Sequence, residues 1–375
     1  MKSLIDSVKE RSTNAQAPDM TQGQDSMDDE ELAALVKQLE LKIKVVGCGG
    51  GGSNTISRIH DEGLDHVDLI AVNTDAKHLL NIKADHKILI GKKLTRGLGA
   101  GADPRVGAKS AEEEEERIRE AIKGANIVFI TCGLGGGTGT GSAPVVARYA
   151  KEAGALVIAF ATKPFKAEGQ VRMNAAEAGL TQLAKHCNTV VTVSNDKLLE
   201  LAPKLPLNQA FLLADELLMT AIKGLCEMVT KPGLVNIDYN DLRTVMDDGG
   251  IAVIGLGESE EEGTRAEDAF NKAIHSPLLE YDIKSARGVL VKVTGGPNMT
   301  LQEAEKVIEL VQQKVSPSTR IIWGAAVDPE HGSRVTVLIL ANGVESTQVH
   351  GIAKQPIEAG HVGAKGAAAA FDKVK

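Results

Sequence analysis

Two glycine-rich runs, each wedged between a strand-sized apolar run and a segment able to form a helix, constrain this chain most. The first is Gly47-Cys48-Gly49-Gly50-Gly51-Gly52-Ser53-Asn54, directly after the apolar run at residues 41–46. The second is Gly135-Gly136-Gly137-Thr138-Gly139-Thr140-Gly141-Ser142, after the apolar run at 127–131 and before a helix expected from Ala143. Glycines let backbone N–H groups approach an anion closely where a helix begins. Flexible linkers lie between domains, whereas both runs are held tightly between strand and helix, so a linker reading fits poorly. Taken alone, the first run matches G-x-G-x-x-G, and Asp75 lies at about the distance of a ribose-binding acid. That pattern would suit a dinucleotide oxidoreductase. The second run turns the reading, because two such loops at the carboxyl ends of neighbouring strands suit a string of phosphates. No G-x-x-x-x-G-K-[ST] occurs, so the cradle is built without a P-loop lysine.

The surrounding pattern alternates. Apolar strand-sized runs at 41–46, 68–72, 87–90, 127–131, 156–161 and 189–193 are separated by amphipathic stretches such as 111–122 and 143–151. Near-continuous apolar strands between helices predict a parallel α/β sheet covered on both faces, a Rossmann-like nucleotide-binding domain over 41–208. A long helix follows over 209–230, with Phe211, Ala214, Leu218, Ala221, Leu225 and Met228 at spacings of three and four. Lys231-Pro232-Gly233 ends it. Residues 231–343 read as a smaller α+β domain. Its strands fall at 251–254, 289–293, 320–323 and 335–340 and its helices at 265–274 and 301–315, the latter opened by the Thr300/Glu303 capping box. These predict a four-stranded sheet with helices on one side. Residues 1–40 read as a polar extension with one short helix, and 344–375 as a flexible Gly/Ala/Lys tail.

Bulk properties exclude several classes. Of 375 residues, 50 are acidic and 42 basic, a net charge of −8 with no basic block. That argues against nucleic acid or an anionic membrane as the main partner. No apolar run approaches a spanning length and the start of the chain has no signal pattern, so direct membrane insertion is not expected and a cytoplasmic setting is. The four cysteines form no C-x-x-C pair and the nine histidines no ligand-spaced cluster, so no protein-held metal site is expected.

The run GGGTGTG at 135–141 resembles the signature of the tubulin/FtsZ superfamily, and the resemblance extends over about residues 42–343. Asn73-Thr74-Asp75 resembles the family's second nucleotide loop, and Gly97-Leu98-Gly99-Ala100-Gly101 its γ-phosphate-sensing loop. Lys163-Pro164-Phe165 with Glu168-Gly169 and Arg172-Met173 is similar to the sugar-contacting loop. Asn236-Ile237-Asp238-Tyr239-Asn240-Asp241 matches the catalytic N-x-D-x-x-D loop. The pattern is closer to the FtsZ branch than to eukaryotic tubulin, which is longer and carries a large C-terminal helical region. The resemblance implies a GTPase that binds GTP and GDP, with Mg²⁺ held mainly by the nucleotide phosphates. It implies head-to-tail filaments that organise a cytokinetic ring at the division site, tethered to the membrane by other division proteins. Asn236, Asp238 and Asp241 would act on the neighbouring subunit's nucleotide. Two departures stand out: Asp103 sits where the family commonly has Asn, adding a carboxylate near the γ-phosphate. The tail also shows no clear hydrophobic-and-basic tethering peptide.

Local arguments add to this. Asp238 and Asp241 are three apart at a helix start, so both carboxylates can face one spot, and either can also cap the helix. Phe211 and Asp215 are four apart on the long helix and share a face. A ring there can stack on a purine, although the core would also take it. The carboxylate can accept both N–H groups of guanine's pairing edge, where adenine offers an acceptor.

Overall fold

A computed structural model of the chain describes residues 41–344 other than 65, 202–205, 232, 236, 248–249 and 280–281. The expected extension over 1–40, nearly all of the expected tail and Asn236 lie outside these residues.

Six strands run parallel: β1 (Ile43–Cys48), β2 (Val67–Asn73), β3 (His86–Leu89), β4 (Ile127–Gly133), β5 (Leu156–Lys163) and β6 (Thr189–Ser194). Between and after them come α1 (Gly49–Glu62), α2 (Ala76–Asn81), α3 (Pro104–Glu113), α4 (Glu115–Ile122), α5 (Thr138–Glu152), α6 (Gln170–His186) and α7 (Asn195–Leu201). The inner strands β1, β4, β5 and β6 are buried almost throughout because helices cover both faces. The long helix α8 is Leu207–Thr230. Then follow α9 (Tyr239–Met246), β7 (Ile251–Ser259), α10 (Arg265–Ile274), β8 (Gly288–Gly295), α11 (Leu301–Lys314), β9 (Arg320–Val327) and β10 (Val335–Asn342).

The four strands expected of the second half are present, and they continue the first sheet. The order is β3-β2-β1-β4-β5-β6-β7-β10-β8-β9, joined at the centre by only two residue pairs, Val190–Ile251 and Val191–Ala252. The join protects strand edges that two separate sheets would expose. Nine of the ten strands point the same way, since β10 alone is antiparallel to its neighbours. The molecule therefore has a carboxyl edge and an amino edge. Among the described residues, apolar cores lie against the sheet, including one built on β1, β4, β5 and α5 and another on β8, β10, α10 and α11.

Helix α8 is tied to both halves. Arg58 and Glu62 of α1 pair with Glu216 and Lys223, while Lys292 of β8 donates to Glu227 at 2.6 Å. A side chain at Gly224 would meet Leu338 of β10 at 2.9 Å, so glycine lets the helix lie close to the sheet.

Both helices after the glycine runs begin inside them, at Gly49 and Thr138, the second five residues before the sequence pattern predicts. Packing overrides the poor helix propensity of glycine here. A Cβ on Gly52 would lie 2.2 Å from the Thr131 carbonyl oxygen, and one on Gly139 2.7 Å from that of Gly133. Only glycine lets these first turns press so closely on β4.

Candidate functional site

At the carboxyl edge, the loops singled out in the sequence meet. A Cβ on Gly49 would strike the Gly139 nitrogen at 2.6 Å, so the two glycine runs touch through backbone. Thr74 bonds Thr138 hydroxyl to hydroxyl at 2.6 Å, joining the 73–75 loop to the second run. Gly137 rests on Ala100 and on the Asp103 backbone, which brings in the 97–101 loop. Gly135 lies against Pro164 and the Arg172 backbone, which brings in the loop after β5.

The donors left over by this packing suit phosphate. Helices α1 and α5 have no side-chain cap, a feature shared with α4, α6, α8 and α10, but only α1 and α5 start within the glycine runs. The first N–H groups of an α-helix have no partner within it. In α1 these belong to Gly49, Gly50 and Gly51, and in α5 to Thr138, Gly139 and Thr140. The glycines divide into two kinds. Gly49, Gly52, Gly137, Gly139 and Gly141 are needed because backbone crowds their α-carbons, whereas a Cβ on Gly50 or Gly136 would meet nothing within 4 Å. Their open sides leave room for a bulky anion over the amides. Ser53 is fully buried and Thr140 nearly so; of the pair, only the Thr140 backbone N–H is among the first-turn donors.

Asp75 accepts the His78 N–H at 2.9 Å as the cap of α2. His78 was not singled out by sequence, yet its ring bridges Asn73 and Asn54 at 3.1 Å on each side. Because the Asn73 amide donates to Nδ1, the proton sits on Nε2 and is given to the Asn54 oxygen. The 97–101 loop is conformationally tense. Arg96, Gly97, Gly99, Gly101 and Ala102 all have positive φ, and for Arg96 and Ala102 that costs about 1 kcal/mol or more each. Beyond it, Asp103 caps α3 and its carboxylate is gripped by the Arg105 guanidinium at 2.8 and 3.1 Å. Arg105 holds the Asp103 carboxyl below the usual range, and the added charge is neutralised on the spot.

Glu168 accepts the Phe165 N–H at 2.9 Å and also pairs with Arg172, so the two loop residues hold each other. Phe211 is 41% exposed, with its ring edge-on to Phe165 at 5.1 Å. It is open enough to stack on a base. One turn on, burial pushes the Asp215 carboxyl up to about 6, opposed by the Arg58 charge and by hydrogen bonds from Thr55 and Arg58. Arg58 Nε stands 3.7 Å from it. Arg58 is the second residue that sequence reasoning missed. Arg58 lies three residues after Thr55, so both stand on the face of α1 that meets Asp215.

The catalytic-loop candidates lie elsewhere. Asp238 caps α9 by accepting the Asp241 N–H at 2.8 Å, and Asp241 occupies the first turn. Tyr239 donates its hydroxyl to the Asn126 carbonyl at 3.3 Å, just before β4 begins. Asn188, just before β6, donates to Asp247 at 2.6 Å. Helix α9 thus lies along the amino edge. The two glycine runs are at the other end of the same strands, about 20 Å away for a strand the length of β4.

Comparison with known proteins agrees with this geometry. A family model described as "Tubulin/FtsZ family, GTPase domain" matches residues 42–203, and one described as "FtsZ family, C-terminal domain" matches 250–345. Cell division protein FtsZ 1 of Archaeoglobus fulgidus is 49% identical over 358 residues, covering 95% of this chain and 97% of that one. Cell division protein FtsZ of Haloferax mediterranei is 52% identical over 326 residues, 87% and 86% of the two chains. Among solved structures, an FtsZ dimer from M. jannaschii superposes with a TM-score of 0.81 at 50% identity, over 85% of this chain and 92% of that one. A GTPγS-bound protofilament of CetZ2 from Haloferax volcanii, at 24% identity and a TM-score of 0.69, covers 81% and 94% and shares the fold. The fold and the two-loop cradle define a GTPase of the tubulin/FtsZ class. Within that class the chain belongs to the FtsZ family. It binds and hydrolyses GTP and forms filaments in cell division.

Proposed function

We propose that the catalytic site is shared between two copies. One holds GTP on its carboxyl-edge loops, and the next, stacked head to tail, delivers Asp238 and Asp241. One observation carries this reading: the two sets of groups lie at opposite ends of the same strands, so a single copy cannot bring them together. Such a contact does not close on itself and extends into a filament. Asn236 belongs to the same loop and shares the role. The carboxylates orient water toward the γ-phosphate, and the amides of α1 and α5 receive the phosphate charge.

Guanine is read by Asp215 and stacked on Phe211, with Glu168 and Arg172 at the sugar. A Mg²⁺ ion supplies further positive charge when bound. The cradle offers amides and hydroxyls, so the ion would be carried mainly on the nucleotide phosphates. The working division of the chain is a nucleotide-binding part over 41–208, the helix 209–230, and an activating part over 231–343. No helix among the described residues is long and apolar enough to cross a membrane. The protein acts from the cytoplasm at the division site and reaches the membrane through separate tethering proteins.

Phosphate release measured over a range of total protein concentration tests the shared site. An isolated copy holds only half a site, so turnover per chain should rise steeply as copies associate. Specific activity independent of concentration would mean that every chain carries a complete site.

A further inference from the structure

Helices α3, α5 and α6 enclose a cleft of about 350 Å³ under the second glycine run, within the size range of small-molecule sites. Its walls are small and apolar, with Ala108, Pro144, Val145, Ala175 and Ala178 among them. Thr140, 2% exposed, lines the cleft, and its hydroxyl has no partner in the structure. Pro144, inside α5, offers no N–H to the Thr140 carbonyl four residues earlier. At the rim stands Arg148, whose Nη2 is 3.7 Å from Glu112, longer than a hydrogen bond. His186, also at the rim, is held below its ordinary pKa by burial and by the charges of Arg148, Lys151 and Lys185. The walls are apolar, and of the two arginines that line the cleft Arg105 is taken up by Asp103, which leaves the guanidinium of Arg148 at the rim.

We infer that this cleft binds a small amphipathic anion, with its apolar body between α5 and α6 and its charged group on Arg148. The walls are mechanically joined to the phosphate cradle. Pro104 and Ala108 of α3 press on Gly141, where a Cβ would lie 2.0 Å from the Pro104 carbonyl oxygen, and Gly107 presses on Gly137 in the same way at 2.2 Å. An occupant that separates α3 from α5 therefore shifts the amides of the second glycine run, and GTP affinity changes with it. This coupling rests on the reading of that run as a phosphate cradle; binding itself does not.

The probe is 4-phenylbutyrate, with 4-phenylbutan-1-ol and butyrate as controls, titrated into nucleotide-free protein carrying ¹³C-labelled Ala and Val methyls. The carboxylate should shift the methyls of Ala108, Val145, Ala175 and Ala178 in a saturable way. Arg148→Gln should weaken it about tenfold, the loss of one charge-assisted hydrogen bond, and leave the alcohol unchanged. Ala178→Leu, at an exposed position on α6, should fill the cleft and abolish the shifts. Shifts scattered over the surface, equal binding of acid and alcohol, or indifference to Arg148→Gln would overturn the site. Saturable binding with an unchanged GTP Kd would overturn the coupling to the cradle, and a GTP Kd too weak to measure without probe would instead indict the cradle reading.

Discussion

On the proposed reading, the two edges of the sheet do chemistry with different materials. The carboxyl edge uses backbone: amides at two uncapped helix starts, held in place by glycines that no other residue can replace. The amino edge uses side chains, two carboxylates on α9 anchored through Tyr239 to Asn126 and through Asp247 to Asn188. A backbone site is shaped by packing and fails when packing fails. A side-chain site can be emptied by one substitution while the fold stays intact. Binding and turnover should therefore separate by mutation along the strand direction, and substitutions at both edges test how cleanly.

The largest effect is expected at the amino edge. Asp241→Ala should bind GTP with nearly wild-type Kd and lose about 10²–10³ in turnover, the usual scale for removing one group that acts in the transition state. Nucleotide binding by competition and phosphate release in assembled filaments give the two numbers. A parallel loss of affinity would join the two edges and break the comparison. Asp241→Asn should fall equally far, since the charge and not the volume is at issue.

The carboxyl edge should answer in two ways according to which glycine is changed. Gly139→Ala forces a methyl against the Gly133 and Cys48 carbonyls, which costs about 1–3 kcal/mol and should lower Tm as well as GTP affinity. Gly50→Ala puts its methyl into open space, so Tm should hold while GTP affinity falls by about tenfold through contact with the phosphates. Equal Tm losses would mean that the open side of Gly50 is not where the nucleotide lies.

What was legible in the sequence follows the same division. The glycine runs and the strand–helix alternation are local, so fold and cradle are readable from order and spacing. The helix starts at Gly49 and Thr138 were hidden because contacts with β4 outweigh propensity there. Arg58 and His78 were hidden because a lone cation and a lone histidine carry no pattern. Their meaning comes from Asp215, 157 positions later, and from Asn54 and Asn73 on other elements. The opposition of Asp241 to the cradle was reachable only through family resemblance, because strand direction and the lie of α9 have no local signature.

The proposed reading of guanine by Asp215 is the exception at the carboxyl edge, since it uses a side chain, and pH tests it. Asp215 is pushed up to about 6 by burial. Its folded pKa lies above the ordinary value of 3.8, so the folded state holds the proton more tightly. The group's contribution to stability is therefore greatest at low pH and is lost as pH rises through 6. Guanine binding needs the ionised form, so affinity moves oppositely. GTP Kd should rise about tenfold between pH 7 and pH 5, since each pH unit below the pKa removes tenfold of the anion. Asp215→Asn should bind more weakly at pH 7 and show a flat profile. A wild-type profile as flat as the mutant's would remove Asp215 from base reading.

The smallest effect is expected at Asp103, the family's departure from Asn. A carboxylate beside the γ-phosphate would ordinarily repel it. Here the Arg105 guanidinium takes both oxygens, and Asp103 also caps α3 through the Arg105 N–H at 2.9 Å. Asparagine caps about as well as aspartate, so Asp103→Asn should leave Tm within a degree or two and GTP affinity within about threefold. The informative partner is Arg105→Ala, which exposes the carboxylate without moving it. Affinity should then drop, more at low salt than at high, because an unscreened charge now faces the phosphates. Arg105→Ala combined with Asp103→Asn should recover it, since nothing remains to neutralise. If Arg105→Ala alone is silent at low salt, Asp103 is too far from the phosphates to matter, and the loop at 97–103 lies further from the nucleotide than its contact with Gly137 implies.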